Sequence, residues 1–251
     1  MNSEDLTLIE TRLALKLPAA YRDALLAGVE LNSSAPEPYF QQDATELLIT
    51  NLELRMSPNQ DAFDGGAWPA DGICIGDDGS GNIYFIRAND EKCAVECYDH
   101  ETGEFEAVSD SLEGYFAYIE NLLRTMAAIT GGRGPSIDSP PVAEHKSGAA
   151  IVRTATLRES VLNPISMEEW TAFVESDAEL EMRGYRSIVN PFNREEIRTE
   201  SPGLAVMQED DSNQEFEYTC GRIMVRRPSH AALAKLDEAA SVLNAKVLTG
   251  W

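Results

Sequence analysis

Residues 73–84 read Ile73-Cys74-Ile75-Gly76-Asp77-Asp78-Gly79-Ser80-Gly81-Asn82-Ile83-Tyr84. Two apolar runs flank a block of Gly, Asp, Ser and Asn, residues that turn the chain by tolerating positive φ or by bonding their own backbone. This is the pattern of a β-hairpin, with strands expected over 72–75 and 82–88. A second pair of strand-like runs, 94–99 and 105–108, is joined by His100-Glu101-Thr102-Gly103, again suited to a hairpin. The middle of the first half is therefore predicted to be an antiparallel meander.

Upstream, Leu6, Ile9 and Leu13 recur at helical spacing behind Asn2 and Ser3, which can cap. Leu17-Pro18 opens a second short helix carrying Tyr21 and Leu25 one turn apart, and Gly28 stops it. A further strand is expected over 46–50. Downstream, Ser111 caps a helix in which Leu112, Tyr115, Phe116, Ile119, Leu122 and Leu123 form one apolar face.

Residues 130–148 contain Gly, Pro and Ser throughout and show no apolar periodicity. They mark a linker, placed at 130–150, between a first domain at 1–129 and a second at 151–251. In the second, Ser166 and Glu169 fit a capping box, with Ile165 and Trp170 as the hydrophobic staple around it. Strands are expected over 185–189, 196–199, 204–208, 215–219 and 222–225. A helix capped by Ser229 then runs to Leu243, and 245–248 returns as an edge strand. The expected class is α+β: two small domains, each an antiparallel sheet flanked by helices.

A hydrophobic share of 43% with 25% charged residues excludes a disordered or collagen-like chain. No apolar run reaches the roughly 18–20 residues that span a bilayer. The start, Met1-Asn2-Ser3-Glu4, has neither the basic nor the apolar region of a secretory signal, so a cytoplasmic protein is expected. Twenty Lys and Arg stand against 43 Asp and Glu, a net charge of −23. Residues 1–130 hold 7 basic and 24 acidic side chains, residues 131–251 hold 13 and 19. Such a field repels nucleic acid and anionic membranes, neither of which is an expected partner, and draws in a basic one.

The residues that would carry chemistry are missing. There is no G-x-S-x-G elbow and no histidine in a catalytic setting. Glu101 with Glu104, and Glu168 with Glu169, read as solvated faces in so acidic a chain. Cys74, Cys93, Cys97 and Cys220 are too few for a disulfide scaffold and are expected to be reduced. Cys93 and Cys97 beside His100 make a metal site conceivable, but buried strand cysteines are the favoured account. The block at Asp77 is no calcium loop, because Asn82 and Ala88 stand where Gly and Glu are required. Gly131-Gly132-Arg133-Gly134 lacks the Lys-Ser/Thr ending of a phosphate loop. No catalytic residue, cofactor or metal is expected.

Four blocks of the first half occur together and in order: Ile9-Glu10 through Lys16-Leu17-Pro18 to Tyr21-Arg22 and Leu25-Leu26; the 73–84 hairpin; Val95 with Cys97-Tyr98-Asp99-His100-Glu101; and Ser109-Asp110-Ser111-Leu112-Glu113 with Tyr115-Phe116. In this, residues 1–128 resemble the SUKH superfamily. Two departures are Ala27-Gly28-Val29-Glu30, where the family has Asn-Gly, and Leu112, where it has Phe. The resemblance implies a domain not built around a catalytic group. Its bacterial members are mainly immunity proteins that bind and neutralise a cognate polymorphic toxin, often a nuclease, and its fungal members are regulatory interaction proteins. The second half, through Trp170, Asn190-Pro191, Pro202-Gly203-Leu204-Ala205-Val206 and Gly221-Arg222-Ile223, resembles small uncharacterised domains from bacterial secretion and toxin neighbourhoods.

The expected function is a cytosolic immunity protein that occludes a cognate protein toxin, a basic one of nuclease type, without catalysis. The alternative is a regulatory or scaffold module, and an enzyme comes third. Turn residues project beyond a sheet, so the candidate partner-facing side chains are Asp77, Asp78, Asp99, Glu101, Glu104 and Glu106. The acidic run Glu209-Asp210-Asp211 is the next place to look.

Overall fold

The computed structural model describes residues 1–31, 39–56, 68–129, 148–189, 194–209 and 213–250. The expected linker lies, up to residue 147, outside those residues, as do the glycine block at 131–134, Asn190, Pro191, Asp210 and Asp211. The described residues form two compact units, one from 1–55 and 68–129, the other from 148–189, 194–209 and 213–250. Both are α+β.

The first unit opens with α1 (Ser3–Leu13), which buries Leu6, Ile9 and Leu13 as its spacing requires. Asn2 is the cap: its side chain accepts from the N–H groups of Glu4 and Asp5, and the Asp5 carboxylate returns the bond to Asn2 N–H. Glu10 ties this helix to α2 (Ala19–Ala27), accepting from Leu17 N–H at 3.0 Å and pairing with Arg22 at 2.9 Å. Pro18 stands at the cap of α2 and Gly28, at φ 75°, ends it.

The expected strand over 46–50 is instead the middle of a helix, α3 (Ala44–Met56). Leu47, Leu48, Ile49, Asn51 and Leu52 are all buried, so the helix is apolar on more than one side and its short run mimics a buried strand. The meander forms as expected: β1 (Gly72–Asp77), β2 (Ile83–Arg87), β3 (Val95–Tyr98) and β4 (Phe105–Ser109) pair antiparallel in that order. One face carries Cys74, Phe85 and Tyr98 in a cluster with Trp68. On the other, Tyr84 packs against Tyr115 of α4 (Leu112–Ile129), and Tyr115 Oη donates to the Tyr39 carbonyl at 2.6 Å. Side chains of α3 close the outer edge of β1. Asn51 Oδ1 accepts from Cys74 N–H and Asn51 Nδ2 donates to Cys74 O, both at 2.9 Å, as a neighbouring strand would. Arg55 continues the seal by donating to the Gly72 carbonyl.

The second unit starts within the expected linker. Gly148–Val152 forms β5, buried at every position. After a turn of 3-10 helix (Arg158–Leu162) and α5 (Met167–Ser176) come β6 (Leu180–Met182), β7 (Tyr185–Val189), β8 (Glu196–Glu200), β9 (Ala205–Gln208), β10 (Asn213–Thr219), β11 (Arg222–Arg226), α6 (His230–Val242) and β12 (Lys246–Thr249). Six strands pair in the order β12-β5-β11-β10-β9-β6, all antiparallel, while β7 and β8 make a separate two-stranded ribbon. Helices α5 and α6 bury Trp170, Phe173 and Leu236 against Ile151, Phe216 and Ile223 of the sheet. The capping box is present in both directions, with Ser166 and Glu169 exchanging backbone N–H groups. Trp170 Nε1 donates to the Gly203 carbonyl at 2.8 Å. Gly203 sits at φ 80°, and any Cβ there would strike Met167 and Tyr218.

Lys235 of α6 and its partner Asp177 are buried charges of this unit. The Lys235 ammonium meets Asp177 at 2.7 Å, Glu238 at 2.8 Å and Glu179 at 2.9 Å. Asp177 ends α5 and accepts the N–H groups of Glu179 and Leu180, so the ion pair joins α6 to the turn into β6.

Candidate functional site

The register places the β1–β2 and β3–β4 turns of the first unit at one end of its sheet. Ile83 of β2 faces Tyr98 of β3, so Asn82, just before one, meets Asp99 and His100, just after the other. Asn82 Oδ1 accepts from His100 N–H at 3.1 Å and lies 3.0 Å from His100 Nδ1. The imidazole rests over Gly81, where a Cβ would approach its ring to 3.0 Å. Neither Asn82 nor His100 was singled out by sequence for this work. The signal existed in principle, since each immediately flanks a strand of the central pair.

Asp78 anchors the same network from the first turn. Its carboxylate accepts from Ser80 N–H, Ser80 Oγ, Asn82 N–H and Asn82 Nδ2, at 2.8 to 3.2 Å. Partial burial pushes this carboxyl up, but the hydrogen bonds from Ser80 and Asn82 outweigh it and leave the value below that of an ordinary aspartate. In the second turn Asp99 accepts from Glu101 N–H at 2.8 Å and Thr102 N–H at 3.3 Å. Asp77 accepts from Gly79 N–H at 2.9 Å.

The six acidic candidates thus divide into two groups. Asp77, Asp78 and Asp99 shape the turns with their own oxygens. Glu101, Glu104 and Glu106 are exposed. Between residues 93 and 123 there are eight Asp and Glu and no Lys or Arg. Glu106 faces Cys97 across β3 and β4. Burial raises the Cys97 thiol to about 11, helped by Asp78, Asp99 and Glu106 around it, which favours the thiol over the thiolate.

The sulfur and imidazole groups once conceivable as metal ligands have other partners. The Cys93 sulfur is bonded by the Tyr21 backbone, the Cys97 thiol by Tyr98 O at 3.6 Å, and His100 by Asn82. Among the described residues no three His, Cys, Asp or Glu side chains are grouped so as to hold a metal ion. Of the paired carboxylates, Glu169 is held by Arg153 at 2.6 Å and by Ser166 N–H, which together bring it down to about 2. Glu101 and Glu104 stand in solvent. No described helix is long and apolar enough to cross a membrane.

Residues 1–118 match the model of the SMI1 / KNR4 family (SUKH-1). The first unit is a SUKH domain. No curated protein and no solved structure matches the chain. The SUKH match takes in α1, the Leu17-Pro18 turn, the whole meander and the start of α4, which are the blocks that carried the resemblance. The family is known for immunity proteins and is in general non-catalytic.

Proposed function

We propose that this chain is an immunity protein that binds and neutralises a cognate, basic bacterial toxin by covering it, without turnover. The observation that carries this is the acidic end of the SUKH sheet. Two turns are locked together through Asp78, Asn82 and His100, and Glu101, Glu104 and Glu106 stand free beside them. A preformed acidic surface spends little free energy on ordering when it meets a basic groove, and its field speeds encounter. A toxin that handles nucleic acid suits it, because a cluster of carboxylates carries the same sign of charge as a row of phosphates. The cytoplasm, where such a toxin would act, is the proposed location.

The test is co-expression with the protein encoded immediately upstream of this chain's gene. Growth rescue and a stoichiometric complex support the proposal. Replacing Glu101, Glu104 and Glu106 together by Lys is expected to slow association about tenfold or more at low ionic strength and to leave the melting temperature unchanged. Unchanged kinetics in a folded variant would move the interface elsewhere on the molecule. A biosynthetic neighbour with no toxic activity would favour the regulatory alternative.

A further inference from the structure

Tyr84, Cys97 and Glu106 form a row across β2, β3 and β4 on one face of the SUKH sheet, since Tyr84 faces Cys97 and Cys97 faces Glu106. Helix α4 covers the first of the three, with the Tyr115 ring 5.3 Å from that of Tyr84. Cys97 is only half-buried and Glu106 is exposed, so the row opens toward β4. Tyr118 stands one helical turn beyond Tyr115 and is 44% exposed. It borders the same row: burial raises the Tyr84 hydroxyl, and the nearby Cys97, Tyr118 and Asp78 add to the rise. Phe116 lies on the opposite flank of α4, packed on Phe40 at 4.9 Å, and helical spacing puts Glu113 and Glu120 there too. The flank with Tyr118 and Leu122 is uncharged.

An exposed ring beside carboxylates is the chemical complement of an arginine, whose guanidinium lies flat on the ring and keeps its edge for the acid. The chain builds this arrangement twice for itself. On the other face of the same sheet, Arg87 lies 5.1 Å over Phe85 and pairs with Glu96 at 2.8 Å and Asp71 at 3.1 Å. In the second unit, Arg198 lies 4.7 Å over Tyr185 and pairs with Glu196 at 3.2 Å. At Tyr118 the ring and the acids are present without the cation. Residues 93–123 hold no Lys or Arg, and among the described residues none from elsewhere lies over Tyr118 or pairs with Glu106.

We infer that Tyr118 anchors the proposed toxin contact by taking an arginine of the toxin on its ring, with Glu106 and the turn carboxylates as the charged rim. The toxin then approaches from the α4 side of the sheet, and Leu122 offers apolar surface to the arginine stem. Rim and anchor divide the work: exposed charges speed encounter, while a central aromatic contact slows release. This inference rests on the toxin proposal and names the side chain at the centre of its contact.

The test measures association and dissociation rates of the full chain with the protein encoded immediately upstream. Tyr118→Ala is expected to raise the dissociation rate about tenfold or more and to leave the association rate and the melting temperature nearly unchanged. Tyr118→Phe keeps the ring and is expected to keep most of the binding. Leu8→Ala removes an exposed apolar side chain of α1 and is expected to change nothing. Binding that Tyr118→Ala leaves unaltered overturns this inference and leaves the toxin proposal standing. A loss as large in Tyr118→Phe as in Tyr118→Ala also overturns it, by assigning the contact to the hydroxyl. An equal loss in Leu8→Ala does so too, by making the effect one of general packing. Where circular dichroism shows Tyr118→Ala to be unfolded, Tyr118→Arg takes its place, setting cation against cation with the same expected loss. A wild-type chain that forms no complex overturns the toxin proposal, and this inference with it.

Discussion

Each unit buries one long polar side chain at a structural joint, and the two solve the problem differently. Asn51 is neutral and fully buried, and its amide is met by the backbone of β1 and by Leu47 O. Lys235 is charged, with its side chain 8% exposed, and is met by Asp177 at 6% and by two carboxylates at the surface. The amide replaces a missing strand; the ammonium replaces a missing covalent tie between α6 and the end of α5. A neutral seal is indifferent to pH, whereas an ion pair depends on both partners keeping their charge.

The largest break in this comparison is expected from Lys235→Met. It leaves the Asp177 carboxylate buried without its cation, a loss of roughly 3–5 kcal/mol from the second unit. The pH dependence follows from the signs. Burial raises the Asp177 carboxyl, but Lys235 and the N–H groups of Glu179 and Leu180 outweigh it, so its folded value lies below the ordinary 3.8. The stabilisation is complete above that ordinary value and is lost as pH falls through the lowered one. Burial lowers Lys235, but Asp177, Glu238 and Glu179 more than offset it, so its contribution is complete below the ordinary 10.5 and persists through neutral pH. Wild type and Lys235→Met should therefore converge in thermal stability only in strong acid.

Asn51→Ala comes next. It leaves the N–H and C=O of Cys74 without partners at a buried edge, at about 2–4 kcal/mol for the two groups together. Urea titration of the first unit should show this loss undiminished from neutral to mildly acid pH. A pH-dependent loss would mean that the seal is not the neutral amide. The smallest effect is that of Ser166→Ala, which removes one half of the capping box and is expected to destabilise the second unit by about 1 kcal/mol. Glu169 keeps its bond to Arg153 in that variant, and a loss several times larger would show that the two act as one unit.

The sequence was most legible where local chemistry acts alone. The hairpin turns, the Asn2, Ser166 and Ser229 caps, and strands with turn residues at both ends fall where they were expected. It misled where burial on several sides erases periodicity. Leu47-Leu48-Ile49 reads alike as strand or helix, and only the packing of α3 against the sheet decides. β5, Gly148-Ala149-Ala150-Ile151-Val152, looked like the tail of a linker because its first residues are small, yet it pairs with both β11 and β12. At the acidic end of the SUKH sheet the residue types were visible, but their division was not. That Asp78 builds the turn while Glu104 stands free depends on partners supplied by the turn geometry and, for Asn82 and His100, on groups 18 residues apart.

That division bears on how such a surface can vary. The groups that fix the shape of the two turns are Asp78, Gly81, Asn82 and His100, and a change at any of them disturbs the others. The carboxylates at 101, 104 and 106 take no part in that lattice. They can be exchanged one at a time, for a different charge or for an apolar group, at almost no penalty in folding. A scaffold organised in this way separates change in the proposed contact surface from change in whether the domain folds.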